Sequence, residues 1–438
     1  MNTTDTEAIV IVGGGAGGLE LACKLGRKLG RDKVTLVDQS FFHIWKPSLH
    51  EVAAGTMDMH REALPYAMLA HHNNFTFIYG AFTQLDTEQR TIVVSAVDEQ
   101  WGAAIVVERT LRYSQLCIAV GSTSHYFNTP GAAEHTISLN TAGDAERFRL
   151  QMLRHLTVAD SHKAQDPAAG VDVIIIGGGA TGVELAAELR EASNRYLDYG
   201  FRRLDALTDI RITLLEGAPR ILPPLPERVA TAATRLLKQR NIAVESACRV
   251  ERILPGQVVD TTGRNHPYQI CVWAAGIRAP AFLATLGLPT NASGQLLVDD
   301  RLMVEGQSNI YAFGDCAACV MADGNRVPPR AQAAHQQADY LYRSLLRQAR
   351  GQAPVAQPPP YLYRDYGSLV SVGTRAGVGT LMGSLRGRSW FVRGAVARML
   401  YVSLHMLHHR AVLGWARTMG LTVARALVRR NTSLVKLH

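Results

Sequence analysis

After Asp365 the chain contains no aspartate or glutamate, although 11 lysines and arginines follow. The rest of the chain holds 35 basic and 37 acidic residues, so the net charge of +9 belongs to the C-terminus and needs a local explanation. Cysteine is scarce as well. Six in 438 residues cannot build the disulfide framework of a small secreted scaffold. Cys316 and Cys319 form a C-x-x-C, but no second such pair and no Cys/His cluster accompanies it, which argues against zinc or an iron–sulfur centre, and no metal is expected. No apolar run approaches the roughly 18 residues of a spanning helix. The polar N-terminus leaves no room for a signal peptide before a first strand expected by Ile9, so a reducing, cytoplasmic setting is expected. An apolar content of 47% with 19% charged residues is that of a folded globular protein of two or three domains.

Set against these absences are two glycine fingerprints, one close to the N-terminus and one nearer the middle of the chain. Gly13-Gly14-Gly15-Ala16-Gly17-Gly18 follows Ile9-Val10-Ile11-Val12, and Gly177-Gly178-Gly179-Ala180-Thr181-Gly182 follows Val173-Ile174-Ile175-Ile176. Each reads as strand, G-x-G-x-x-G, helix. The first glycine makes the turn, the second admits a pyrophosphate, and the third lets helix and strand pack, with the phosphates at a helix N-terminus. Asp38 ends the run Val34–Val37. It follows Gly18 at the spacing of about 20 residues that sets an acid against a ribose hydroxyl. Glu216 ends Ile212–Leu215 and stands well beyond that spacing from Gly182; the extra length, Ala192 to Asp209, predicts an extended helix plus loop.

The pattern repeats at the end of each unit: Gln115–Ser122 and Ile270–Gly276 are apolar strands ending in small residues. Asn309–Phe313, followed by Gly314-Asp315, reads as a strand that rejoins the first unit. The fold class is therefore α/β with two Rossmann-like dinucleotide-binding domains: residues 1–130 and 285–350 as a discontinuous first unit, 131–284 as the second, and 351–438 as a C-terminal membrane-association region. A helix is predicted from about Arg330 to Arg350, then a linker containing Pro354, Pro358, Pro359 and Pro360. The final segment predicts strands over Ser368–Leu381 and helix from about Phe391. Within Phe391–Leu413, Arg393, Arg398, His405, His408, His409 and Arg410 interrupt bulky apolar residues; Trp415–Val428 is similar, with Arg417, Arg425, Arg429 and Arg430 nearby. This is the composition of basic amphipathic helices in a membrane interface. At about 1 kcal/mol per basic residue near an anionic leaflet, half of the eleven would contribute roughly 5 kcal/mol. A dimerisation surface and a nucleic-acid-binding tail are the alternatives; no nucleic-acid partner is expected.

These residues resemble a family, the bacterial type II NADH dehydrogenases, which are single-chain, glutathione-reductase-like NADH:quinone oxidoreductases. The resemblance rests on Ile9–Glu20, Val34–Asp38, Trp45-Lys46-Pro47 with His50-Glu51-Val52, Gly177–Glu188, Trp273–Ile277, Ala312–Cys316 and Val327–Gln336, and continues into the basic helices. It implies non-covalent FAD in the first domain and NADH in the second. Gly13, Gly15, Gly17, Gly18 and Asp38 would hold the FAD pyrophosphate and adenine ribose, Asp315 the ribityl chain, and Lys46 and Pro47 would lie near the isoalloxazine. Gly177, Gly179, Gly182 and Glu216 would hold NADH; an acid at the ribose favours NADH over NADPH, a preference that Arg220 weakens slightly. Gly121, Ala275, Gly276, Gly314, Ala331 and Gln332 complete the cofactor-contacting set. Gln332 and Gln336, at i, i+4 on one helix face, would bind the quinone, with His335 structural. Glu184, placed in the first turn of the second fingerprint helix, would position nicotinamide or pass a proton to reduced quinone, with Glu188 the weaker candidate.

The implied reaction passes a hydride from NADH to flavin N5, then two electrons to a membrane quinone. With no transmembrane bundle and no intramembrane carboxylate, it is expected to pump no protons. A peripheral position on the cytoplasmic face of the inner membrane, an anionic lipid surface and a homodimer complete the expectation. Disulfide reductases of similar fold carry their reactive pair elsewhere, so Cys316 and Cys319 read as structural thiols. The rival readings are a soluble NADH-dependent reductase of a small electron-carrier protein and a non-catalytic NADH-binding protein that keeps FAD as structure.

Overall fold

The β-branched runs fold as strands buried on both faces, as parallel sheets require. In a computed structural model, which describes residues 8–95, 108–321, 324–351, 359–373, 377–382, 389–428 and 435–436, Ile9–Val12 is the centre of a five-stranded sheet. Its order is Ile310–Ala312, Gln115–Ile118, Ile9–Val12, Val34–Asp38, Thr76–Tyr79, parallel throughout. The second sheet repeats that order: Ile137–Ser138, Ile270–Trp273, Val171–Ile176, Ile210–Glu216, Ile242–Ser246, again all parallel. The edge strand of the first sheet comes from far downstream, and that of the second from just upstream. The short strands Thr123–Ser124 and Ile277–Arg278 pair antiparallel and tie the two units together. Pro354, Pro358, Arg429 and Arg430 lie outside the described residues.

Each fingerprint opens a helix, Ala16–Leu29 and Ala180–Tyr199. The second runs on to Tyr199 and is followed by a loop to Asp209, which accounts for the long spacing to Glu216. Thr141 and Asp144 form a capping box that starts a helix over Ala142–His162. The glutamine-bearing helix is Ala331–Ala349 and packs on the first fingerprint helix.

The C-terminal region departs from expectation in one respect. Phe391 is not helical: Ser389–Arg393 is the third strand of an antiparallel sheet with Gly367–Ser371 and Gly377–Met382. Gly394, with φ +69°, turns the chain into the helix Ala395–Leu413. An alternating strand and a helix start share the same short apolar run here, and periodicity does not separate them. Val370, Val372 and Val378 are buried with the second sheet, and Val412 with the first. Helix Trp415–Val428 packs on Ala395–Leu413. Among the described residues no helix is long and apolar enough to cross a membrane. The two helices nevertheless expose Val396, Met399, Val402, Leu404, Leu407, Trp415, Met419, Leu421 and Val423.

Candidate functional site

In the first fingerprint Gly13 has φ +98°, and a side chain there would run into the Ala119 carbonyl; one on Gly18 would strike the Gly13 carbonyl. A Cβ on Gly17 would lie 2.7 Å from the Phe313 ring. Gly15 and Gly121, by contrast, face open space with nothing within 4 Å. The helix N-terminus is therefore tightly braced behind and uncovered in front, the cradle that a pyrophosphate needs. Asp38 closes one end: its Oδ2 accepts from Gly14 N at 2.6 Å and its Oδ1 from Ser40 N at 2.8 Å. Burial pushes the Asp38 carboxyl up, and these two N–H donors oppose the shift.

The second fingerprint repeats this. Gly177 has φ +113°, with a virtual Cβ 2.7 Å from Ala274, and a Cβ on Gly182 would strike the Gly177 carbonyl. Gly179 faces open space. Glu216 Oε2 accepts from Gly178 N at 2.6 Å and Oε1 from Ala218 N at 2.7 Å. Arg220 turns away, donating to the carbonyls of Leu222 and Pro223. A side chain at Gly276 would meet the Phe127 ring, and Trp273 Nε1 donates to Ala275 O at 2.7 Å.

At the far end of the first cradle, Lys46 Nζ donates to Ser122 O at 2.8 Å, and Ser122 Oγ donates to Asp315 Oδ2 at 2.7 Å. Pro47 follows in a short 3₁₀ turn. Burial lowers the Lys46 pKa, and Asp315 acts against that shift. Gly314, at φ +74°, donates its N–H to Gln337 Oε1 at 2.8 Å. Ala331 is the first residue of the glutamine helix. Gln332 and Gln336 do share a face, and both engage the segment 363–365. Gln332 Nε2 donates to Tyr363 Oη at 2.6 Å and to Asp365 Oδ1 at 3.1 Å. Gln336 donates to Arg364 O and accepts from Arg364 N, so both ends of its amide are committed to backbone.

Glu184 is not in the first turn. It is the fifth residue after the Gly179 N-cap, where the dipole argument for an acid no longer applies. It is buried where three segments meet: Oε1 accepts from Ser371 N at 3.0 Å, and Oε2 lies 3.5 Å from His50 Nδ1. Burial pushes its pKa up to about 8; the Ser371 N–H opposes this, and the nearby Glu51 and Glu188 add to it. Glu188, also raised by burial and by Glu51, accepts from Thr56 Oγ1 at 2.6 Å.

Sequence reasoning missed a buried polar chain beneath the first cradle. The carbonyl of Gly14 accepts from Tyr66 Oη at 2.7 Å and meets His43 Nδ1 at 3.0 Å. A carbonyl only accepts, so His43 donates from Nδ1 and leaves Nε2 as acceptor. His408 Nε2, 2.8 Å away, must then be a donor. His408 Nδ1 lies 2.9 Å from Glu20 Oε1 and His335 Nδ1 2.5 Å from Glu20 Oε2. Burial alone would raise the Glu20 pKa, but the two histidines hold its carboxyl far below the usual range. Ionised Glu20 is an acceptor, so His408 donates from both nitrogens and the contact is an ion pair. Burial and the charge on His408 push His43 down to about 3, consistent with a neutral ring there. His408 is thus no mere interruption of an interfacial helix; it docks that helix onto the fingerprint. The available signal was Glu20 itself, an acid set among Leu19, Leu21 and Ala22 on a helix.

Cys316 and Cys319 are free, buried thiols, each pushed up to about 11 by burial, which fits a structural role. A surface groove of about 590 Å³ beside helix Glu227–Gln239, lined by Arg220, Arg235 and Lys238 among others, lacks any such cradle.

Residues 7–338 match the pyridine nucleotide-disulphide oxidoreductase family. A type II NADH:quinone oxidoreductase of Haemophilus influenzae is 35% identical to this chain, the alignment covering 98% of this chain and 99% of the relative. The type II NADH:quinone oxidoreductase Ndh of Mycobacterium tuberculosis is 26% identical, over 91% of this chain and 84% of its own. Among solved structures, NDH2 from Plasmodium falciparum in complex with NADH superposes with a TM-score of 0.79 at 18% identity, over 98% of this chain and 99% of that one. The sulfide:quinone oxidoreductase of Aquifex aeolicus does so with a TM-score of 0.67 at 18% identity, over 93% and 92%. At that identity the likeness speaks for the fold alone.

Proposed function

Because the chain belongs to the pyridine nucleotide-disulphide oxidoreductases and, among them, to the type II NADH:quinone oxidoreductases, we propose a division of labour among its residues. The enzyme is FAD-dependent and carries electrons from NADH to a quinone without pumping protons. The first unit, residues 1–130 with 285–350, keeps FAD; its fit rests on the open cradle at Gly15 and Gly121 between Asp38 and the Lys46–Ser122–Asp315 cluster. FAD supplies the two-electron relay between donor and acceptor, while the protein supplies binding and electrostatics. Asp38 takes the adenine ribose, Asp315 the ribityl hydroxyls, and Lys46 with Pro47 the ring end. The second unit, 131–284, admits NADH at Gly177, Gly179, Gly182 and Glu216. The turned-away guanidinium of Arg220 leaves a carboxylate to face the ribose, which disfavours a 2′-phosphate.

The observation that carries the quinone half of the reading is Glu184. It sits on the second fingerprint helix yet touches His50 of the first unit and Ser371 of the C-terminal sheet. With its pKa raised to about 8, it holds a proton at neutral pH, as a donor to a quinone oxygen must. Gln332 orients the quinone, and Gln336 straps segment 363–365 in place. The region 351–438 attaches to an anionic leaflet through its basic residues and its exposed Met399, Leu407 and Trp415. The cytoplasmic face and a homodimer complete the proposed setting.

In Gln332→Ala, anaerobic reduction of bound flavin by NADH should keep its rate while re-oxidation by quinone slows roughly tenfold, about 1.4 kcal/mol for one lost hydrogen bond. Equal slowing of both half-reactions would remove Gln332 from the quinone site.

A further inference from the structure

Away from the redox site, four chemistry-bearing side chains converge at the edge of the second unit. Glu245 lies on strand Ile242–Ser246, Cys248 just beyond it, Asp260 at the end of Gln257–Asp260, and His266 on Asn265–Pro267. Cys248 Sγ is 3.6 Å from Asp260 Oδ2 and 3.8 Å from His266 Nε2, and His266 Nε2 is 3.0 Å from Asp260 Oδ2. Ligand atoms of Glu245, Cys248 and His266 also lie within 4.8 Å of one another. A tetrahedral site with Zn–S of about 2.3 Å and Zn–N or Zn–O of about 2.0–2.1 Å has edges of about 3.3–3.6 Å, within a few tenths of an ångström of the three separations among Cys248, Asp260 and His266.

The second layer is already built. Asp260 Oδ1 accepts from Thr262 N at 2.9 Å, Thr262 Oγ1 at 2.6 Å and Arg264 N at 3.1 Å, so the turn after the strand fixes the carboxylate. Its Oδ2 faces Cys248 and His266. Oriented ligands of this kind bind metal more tightly than free ones. Arg264 holds Glu245 Oε1 at 2.6 Å, in place to swing in as a fourth ligand.

We propose that Cys248, Asp260 and His266, completed by Glu245, form a site for a borderline divalent cation of the zinc class. Binding replaces the thiol proton of Cys248 with the metal and leaves the His266 ring neutral, its proton on Nδ1. The site is wired to the nucleotide loop. Cys248 N donates to Glu216 O at 2.9 Å, and Ala247 N to Ala218 O at 2.8 Å. Occupancy therefore stiffens the loop that presents Glu216, and NADH affinity responds. This coupling rests on the reading of Glu216 as the NADH ribose acid; the cation site itself does not.

The test uses full-length, flavin-loaded protein stripped with a chelator, then titrated with Zn²⁺ against a chromogenic competitor and with Co²⁺ by absorbance. We expect one equivalent of Zn²⁺ and a Co²⁺–thiolate charge-transfer band, both lost in Cys248→Ser and weakened at least tenfold in His266→Ala. Absence of binding in the parent protein, or binding unchanged in both variants, overturns the site. NADH dissociation constants with and without Zn²⁺ should differ several-fold in the parent protein and not in Cys248→Ser. If Zn²⁺ binds yet leaves them equal while Glu216→Ala still weakens NADH, the coupling falls and the NADH reading stands.

Discussion

The two fingerprints share a backbone and differ in what stands behind it. In both, a strand-ending carboxylate takes the N–H of the middle glycine, Gly14 or Gly178, at 2.6 Å. The carbonyls of those same glycines part company. Gly178 O accepts from a backbone N–H, that of Leu222, at 2.7 Å. Gly14 O is held by the side chains of Tyr66 and His43, with the His408–Glu20 pair behind them. Backbone buttressing needs only the local loop. Side-chain buttressing draws in a helix from the far end of the chain and seals the site from below, which suits a cofactor that stays. The simpler site suits one that leaves every turnover.

The third glycines should part the two sites most visibly. Gly18→Val drives a side chain into the Gly13 carbonyl and should leave protein with almost no bound flavin. Gly182→Val should retain flavin, seen in its visible spectrum, yet lose reduction by NADH. Loss of flavin from both would mean that the units are not separable. The next effect is smaller. Glu216→Ala should raise the KM for NADH about tenfold, near the 1.4 kcal/mol of one charge-assisted contact, with flavin content unchanged. Asp38→Ala should do the reverse.

His408→Ala sharpens the difference in buttressing. It removes one partner from a buried carboxylate that keeps Lys24 and His335, so a cost of about 3 kcal/mol, the low end for a broken buried pair, is expected in urea unfolding, with faster flavin release. A pH-dependent comparison concerns Glu184. An unfolded carboxyl ionises near 4.5, whereas this one does so at about 8. Between those values the folded chain keeps a proton that the unfolded chain has lost, so burial of Glu184 costs more as pH rises and levels off above about 8. Glu184→Gln should match the parent Tm below pH 4.5 and exceed it increasingly up to pH 8; a constant difference across that range would refute the assignment.

Both cradles were legible in the sequence because glycine spacing and β-branched runs are local signals. Asp38, Glu216 and the Ala331–Ala349 helix followed from the same periodicities. The buttress was not legible. Glu20, His43 and His408 are separated by up to 388 residues, and nothing local marks a histidine in a basic helix as half of an ion pair. The Phe391 strand was lost for a different reason, since so short an apolar run satisfies either period. Glu184 was named through the family resemblance and set a turn too early, and its raised pKa comes first from burial, then from Ser371 and Glu51, neighbours that only folding brings close.

On the proposed assignment, the first site retains its dinucleotide and the second exchanges it in service of a quinone. Absorbance of the purified protein under anaerobic conditions, with lipid vesicles containing quinone, tests this most directly. Flavin bands present at the outset, bleached by NADH and restored by the vesicles, are the predicted result. Protein that purifies without flavin, or flavin that NADH bleaches and quinone does not restore, would contradict it.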